Sequence, residues 1–212
     1  GFIVQSKTFT TQETMTLFQS AKRWLLDSDC PQGQLKQHLV AVTAQPQLAI
    51  EQGFDSEKTF LFWDWVGGRY SVWSAIGLPL AMAIGADAFE QFLMGAHAMD
   101  QHFLTAPAKQ NLPLLMALCG AWNSNFLGAR TLHVATYAHA MQHFVPFVQQ
   151  LEMESNGKRI HLNGQLVHIQ TAPIVWGGLG IDGQHAYFQL IHQGTQMVPT
   201  DFIGVRSTRS QL

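Results

Sequence analysis

Leu39-Val-Ala-Val-Thr43 is an unbroken apolar run, and nothing in it can face water as a strand of an open surface would. It reads as a buried strand, and a buried strand needs layers around it. Thr59-Phe-Leu-Phe-Trp63 repeats the pattern, and a short apolar strand opens the chain at residue 2. Each is followed by helix-like or turn-rich sequence. Strands alternating with helices in this way predict an α/β fold with a mainly parallel sheet.

The stretch from Trp73 to Ala86 is the most apolar run. It is too short to span a bilayer and carries Gly77, Pro79 and Gly85, so it reads as a buried helix. Residues 86 to 126 change character, with two long helical segments around Phe89, Phe92, Leu93, Leu115 and Leu118, separated by Pro107 and Pro113. Thr131-Leu-His-Val-Ala135 then reads as a strand, Ala138 to Met153 as a helix and Ile174-Val-Trp176 as a strand. Gly183 to Gln193 reads as a helix, and Met197 to Val205 as a last strand with Pro199 near its edge. A domain boundary is expected near residue 85, giving domains 1–84 and 85–212. Each has about three candidate strands against the roughly 5–6 of a typical sheet, so parts of two domains are expected.

Composition sharpens this. Charged residues are 12% of the 212, while 47% are apolar or aromatic, including six Trp and 14 Phe. Soluble domains usually carry about 25% charged residues, so much of this surface expects covering by an interface or by further chain. A net charge of −2 without a basic stripe argues against a nucleic-acid partner. Cys30 and Cys119 lie far apart without metal-ligand neighbours, which predicts free thiols in a reducing cytoplasm. No signal peptide is read ahead of the first strand within this sequence, which a truncation would also explain, and no membrane span is expected.

Four segments carry candidate chemistry. Ser6, Lys7, Thr8, Phe9, Thr10 and Thr11 lie between the first strand and a helix whose apolar residues Met15, Phe18, Ala21, Leu25 and Leu26 recur at helical spacing. Thr10 to Glu13 has capping-box spacing. Hydroxyls, one ammonium and a helix N-terminus suit a phosphate monoester. They also suit an ordinary helix start, and spacing alone does not choose between the two.

Gly67-Gly68-Arg69 follows the strand ending at Trp63, where ligands bind in open α/β sheets. Gly68 permits close backbone approach, and Arg69 offers a fork of donors to an oxyanion. A tight turn with a surface arginine is the plainer alternative. Glu154 falls in the last turn of the predicted helix 138–153, where the dipole's negative end disfavours its charge and suits it to act as a base. Gln150, one turn earlier, shares its side. His185 is expected in the first turn of the helix from Gly183, and can pass a proton near neutrality. His192 reads as structural.

Gly178, Gly180 and Gly183, with Asp201 downstream, fit a dinucleotide fingerprint. It is discounted because Asp201 follows Pro199 instead of ending a clean strand. His139 and His143 lack a third ligand, so no metal site is expected. Neither a nucleophile elbow nor a Walker motif occurs.

Together, Ser-Lys-Thr-Phe-Thr-Thr-Gln-Glu-Thr at 6–14, Trp-Asp-Trp-Val-Gly-Gly-Arg-Tyr-Ser at 63–71, Met-Glu-Ser-Asn-Gly-Lys at 153–158 and Gly-Gln-His-Ala at 183–186 closely resemble the glucose-6-phosphate isomerase family. Gly-Ala-His-Ala-Met-Asp-Gln-His-Phe at 95–103 and Gln-Leu-Ile-His-Gln-Gly-Thr at 189–195 extend the likeness over nearly the whole chain. It implies parts of two three-layer α/β/α sugar-isomerase (SIS) domains, the end of one and the start of the next. It implies that Ser6, Lys7, Thr8, Phe9, Thr10 and Thr11 cup a sugar 6-phosphate, and that Gly68 and Arg69 lie beside the reacting carbons. Glu154 would be the base of an aldose-ketose isomerisation, Gln150 would line the pocket, and His185 would assist ring opening from the neighbouring subunit of a homodimer. No cofactor or metal is implied. The family chain is more than twice this length, so a central portion without the N- and C-terminal parts is expected. Gly178-Leu179 stand where the family has Glu-Pro, and Thr136-Tyr137-Ala138 where it has Pro-Tyr-Asp. A noncatalytic sugar-phosphate-binding module of the same fold and a nicotinamide oxidoreductase are the alternatives.

Overall fold

The computed structural model describes residues 1–207; residues 208–212, the end of the second expected domain, lie outside the described residues. The chain divides into two compact units, Gly1–Asp100 and the chain from Gln101 onward.

The first unit is a three-stranded parallel sheet in the order β1 (Phe2–Gln5), β2 (Leu39–Thr43), β3 (Thr59–Leu61). Val4 pairs with Ala41 and Ala41 with Thr59. The helix α1 (Gln12–Asp27) joins β1 to β2, and the short α2 (Pro46–Glu51) opens with a proline, whose missing N–H costs nothing in a first turn. The central strand is buried on both faces, as its sequence requires. Leu39 and Ala41 pack with Val4, Phe18 and Leu25 on one side, while Val42 packs with Phe62 and Val66 on the other. Phe18 is 2% exposed, and burying such a ring contributes roughly 1.5–3 kcal/mol. Leu26, counted in the predicted stripe of α1, points to solvent.

Past β3 the structure departs from expectation. The Phe62 amide still donates to the Thr43 carbonyl at 3.2 Å, but Trp63 has left the sheet. The run 73–86, expected as one buried helix, is instead 3-10 turns at Gly68–Trp73 and Ala75–Gly77 followed by α3 (Leu78–Ile84). No residue of α3 is buried, and Met82 is 69% exposed. Pro79 can only start a helix, and Gly85 at φ +86 ends it, so the apolar run never becomes one rod. The long helix α4 (Ala86–Thr105) then crosses from the first unit into the second.

In the second unit, α5 (Leu112–Asn125) is capped by Asn111, whose Oδ1 accepts from the Leu114 amide. The sheet runs β5 (Ile174–Leu179), β4 (Thr131–Thr136), β6 (Thr200–Ile203), all parallel. Leu132, Val134 and Val175 face α6 (Phe144–Gln149) through Val145 and Phe144. The opposite face carries His133 and Trp176, packed against the segment after β5, where α7 (Gly180–Gln184) and α8 (Phe188–Gln193) lie. β5 runs three residues beyond the predicted Trp176, and Gly177 there has φ +132, with the Val134 carbonyl oxygen occupying the space a Cβ would need.

The predicted helix 138–153 is broken into a 3-10 turn at His139–Met141, α6 and a π-helical turn at Gln150–Glu154. Pro146 has no N–H to continue an earlier helix, so α6 starts afresh at Phe144. Pro199 likewise shortens the last strand; its carbonyl accepts from the His133 amide at 2.9 Å before β6 begins. Residues 159–167 fold back on themselves, Ile160 bridging Leu166. Among the described residues no helix is long and apolar enough to cross a membrane.

Candidate active site

The chain leaves β1 into a turn tied together by its own hydroxyls. Ser6 is buried, its amide donates to the Val42 carbonyl at 3.1 Å, and its Oγ lies 3.2 Å from Thr11 Oγ1. The same Oγ accepts from the Phe9 amide at 3.1 Å. The Thr8 hydroxyl accepts from the Thr10 amide at 3.3 Å and from the Thr10 hydroxyl at 2.9 Å. Two accepted bonds leave Thr8's own proton to donate outward. Lys7 is fixed through its backbone: its carbonyl accepts from the Ala44 amide and the Thr43 hydroxyl, each at 3.2 Å. Its Nζ lies 3.9 Å from Asp64 Oδ1.

The expected capping box is not formed. Thr11, not Thr10, caps α1, and its hydroxyl turns to Ser6 instead of to a helix amide. The first-turn amides of α1 are therefore left to another acceptor. Phe9 also differs from its expected part. Its ring is 2% exposed and meets Phe54 edge-on at 5.4 Å, so it anchors the turn from the core. Its φ of +54 is unusual for a side chain of that size.

Gly67-Gly68-Arg69 lies past β3, where Gly68 begins a 3-10 turn and is exposed, with open space where a Cβ would sit. Arg69 is half-buried. Ser71 Oγ and the Tyr70 amide close the turn on the Gly68 and Gly67 carbonyls. The first unit thus holds Ser6 to Thr11 in one turn and joins Lys7 to Asp64 of the Trp-Asp-Trp segment. Thr43 and Asp64 were not singled out in the sequence. Both act on Lys7 from segments distant in sequence, and no local spacing announces that.

In the second unit, Glu154 ends the π-helical turn, and Gln150 Nε2 donates to its Oε2 at 3.1 Å. The spacing predicts only that Gln150 shares a side with Glu154; the two are hydrogen-bonded, on a wider turn than an α-helix, and such turns recur at functional sites. Lys158 Nζ donates to the Glu154 carbonyl, and the Gln149 amide group ties the helix to β5 through the Val175 carbonyl at 2.9 Å. His185 is not in a first helical turn. It caps the C-terminal end of α7, exposed, in the turn between α7 and α8.

Packing accounts for two of the three fingerprint glycines, Gly180 against the Tyr137 ring and Gly183 against Tyr187. Gly183 leaves room for Tyr187, whose phenol ring and Oη would overlap a Cβ there. Asp201 does lie within a strand, β6, but β4 separates that strand from β5. A ribose-binding acid belongs on the neighbouring strand of a dinucleotide fold.

Against known proteins, the phosphoglucose isomerase family model matches residues 1–211. The chain belongs to the phosphoglucose isomerase family. It is 53% identical over 211 residues to glucose-6-phosphate isomerases of Deinococcus deserti and Deinococcus radiodurans, covering all of this chain and 39% of each relative. The chain thus spans about two fifths of the length of these curated relatives. A crystal structure of a glucose-6-phosphate isomerase from Chlamydia trachomatis superposes with a TM-score of 0.85 at 39% identity, over 95% of this chain and 38% of that one. The crystal structure of a hypothetical protein from Thermus thermophilus superposes with a TM-score of 0.78 at 29% identity, over 94% and 46%. The family fold is the α/β class expected from the strand-helix alternation.

Proposed function

We propose that the protein carrying this chain interconverts glucose 6-phosphate and fructose 6-phosphate, as an aldose-ketose isomerase of glycolysis and gluconeogenesis in the cytoplasm. The observation that carries the reading is Glu154, hydrogen-bonded by Gln150 on a wide helical turn, in a chain of this family. Its carboxylate takes the C2 proton while the C1 carbonyl oxygen gains one. The enediol so formed receives the proton back at C1, and O2 gives up its own to become the ketone. Arg69 stabilises the oxyanion that develops along the way. Ser6, Lys7, Thr8, Phe9, Thr10 and Thr11 hold the 6-phosphate, Phe9 from within the core and the others through hydroxyls, ammonium and helix amides. Gly68 admits the sugar, and His185 assists ring opening. A proton moves between adjacent carbons and no electrons leave the substrate, so the chemistry calls for no redox cofactor.

In this reading residues 1–84 close one sugar-isomerase domain and residues 85–212 open the next. The active form is a homodimer in which His185 serves the neighbouring subunit. The deciding experiment is Glu154→Gln in the full-length parent. Turnover should fall by about 10²–10⁴-fold, the usual contribution of a positioned base, with sugar-phosphate binding retained. Unchanged turnover would sink the assignment; binding without any turnover in the parent itself would favour a noncatalytic sugar-phosphate module.

A further inference from the structure

His133 sits in the middle of β4, the central strand of its sheet, and is 0% exposed. Neither ring nitrogen has a hydrogen-bond partner. Three rings surround it, Trp176 at 4.6 Å between centroids, Tyr187 at 5.2 Å and Phe188 at 5.6 Å. A neutral imidazole carries one donor and one acceptor, and buried groups of that kind are nearly always paired. Leucine or phenylalanine would fill the slot without leaving two polar atoms unsatisfied. Packing alone therefore gives no reason for a histidine here.

The cage is continuous with the turn that bears His185. Tyr187 and Phe188 follow that residue closely in the chain, and the Gly183 carbonyl accepts from the amides of Ala186 and Tyr187, each at 3.0 Å. Where the two rings rest fixes the backbone from which the exposed His185 projects. We propose that His133 is a positioning residue for His185: its uncharged imidazole is the floor on which Tyr187 and Phe188 hold the turn, and its protonation loosens that turn. This rests on the role given to His185 above.

An imidazolium at this place has two N–H donors and no acceptor for either, and only separation of the rings brings water to it. Burial alone holds His133 below the ordinary imidazole value of 6.5. The groups facing it are Trp176 from β5, Tyr187 from the α7–α8 connection, Phe188 at the start of α8, and Thr200, its partner in register on β6. Tyr187 is the titratable one among them. Its phenol is raised above 10.0 by burial first and then by Asp182 and Tyr137, so near neutrality both titratable members stay uncharged. Asp201, next along β6, alternates to the opposite face.

The test is the pH profile of the full-length parent with His133→Phe and His133→Gln, run beside His185→Ala. Near pH 8 both His133 variants should keep kcat within about twofold of the parent. Below the depressed His133 value, which itself lies under 6.5, the parent should lose kcat more steeply than either variant, the extra loss approaching about tenfold per pH unit, the limit for one coupled proton. Matching acid limbs in parent and variants would overturn the proposal. Should the variants fail to fold, the imidazole proton resonances of His133 and His185 in the parent replace them. A shift of His185 at the His133 midpoint supports the coupling, and its absence overturns it. Unchanged turnover in His185→Ala would instead overturn the role of His185, and the resonances would still decide the coupling.

Discussion

Phe9 bears the strain of the hydroxyl-rich turn. A φ of +54 on a bulky residue costs about 1–3 kcal/mol, and it persists because the ring lies in the core and the amide is held by Ser6 Oγ. Phe9→Ala should therefore lower stability by about 3–5 kcal/mol in denaturant unfolding, and take phosphate affinity with it. Asp64→Asn separates the two effects. On the phosphate role proposed for Lys7, the Asp64 carboxylate beside it would compete with the anion, so the variant should bind inorganic phosphate more tightly in a calorimetric titration while its stability stays within about 0.5 kcal/mol. Weaker binding would make Asp64 a support of the cup and not a competitor. His133 adds a pH dependence. Its folded imidazole is held below 6.5, so its share of stability is complete above 6.5 and is lost as pH falls from there toward the lower folded value. Unfolding midpoints should drop over that window in the parent chain and stay flatter in His133→Phe. Local spacing made Ser6 to Thr11 and the Gln150–Glu154 pair legible, because those groups meet within one turn. The inward ring of Phe9, the Lys7–Asp64 pair and the cage of His133 were not legible, because each depends on a partner brought from another element.

Elements were legible where an apolar run is unbroken, as in β2, or where apolar residues keep helical spacing, as in α1, and were misread where proline or glycine divides an apolar stretch. Pro146 and Pro199 moved a helix start and a strand start, and Pro79 with Gly85 cut α3 to seven residues. The α7–α8 connection is the sharpest case. Helical spacing joined Gly183 to Gln193, yet the chain breaks at His185 so that Tyr187 and Phe188 can turn onto the sheet. Gly183→Ala tests that turn directly. The new methyl would overlap the Tyr187 phenol, so the ring must leave its place over His133. We expect a loss of about 1–3 kcal/mol, the usual cost of overpacking, measured by thermal unfolding. A loss of turnover larger than that destabilisation explains would accompany it in the full-length parent. Stability and turnover both unchanged would mean that the ring moves without consequence.

At the scale of the whole molecule, the low charge count anticipated apolar surface in need of cover, and the structure locates it. Neither α4 nor α5 has a buried residue. Trp122 and Phe126 stack at 4.7 Å while 55% and 71% exposed. A cleft of about 1300 Å³ opens between α5 and the second sheet, lined in part by Leu132, Val134, Phe144 and Val148. Contiguous apolar surface on this scale marks a place where protein meets protein, and the chain spans only 39% of the length of its Deinococcus relatives. The chain by itself should therefore bind a hydrophobic reporter dye and sediment as species heavier than 23.6 kDa at micromolar concentration. Trp122→Gln combined with Phe126→Gln should reduce both signals, because it removes the stacked pair without touching any buried core residue. Dye binding and sedimentation unchanged by that double substitution would place the association elsewhere, α3 and Trp63 with Trp65 being the next apolar surface in line. A dye-free monomer would show that these rings tolerate water, and low charge would then say nothing about missing cover.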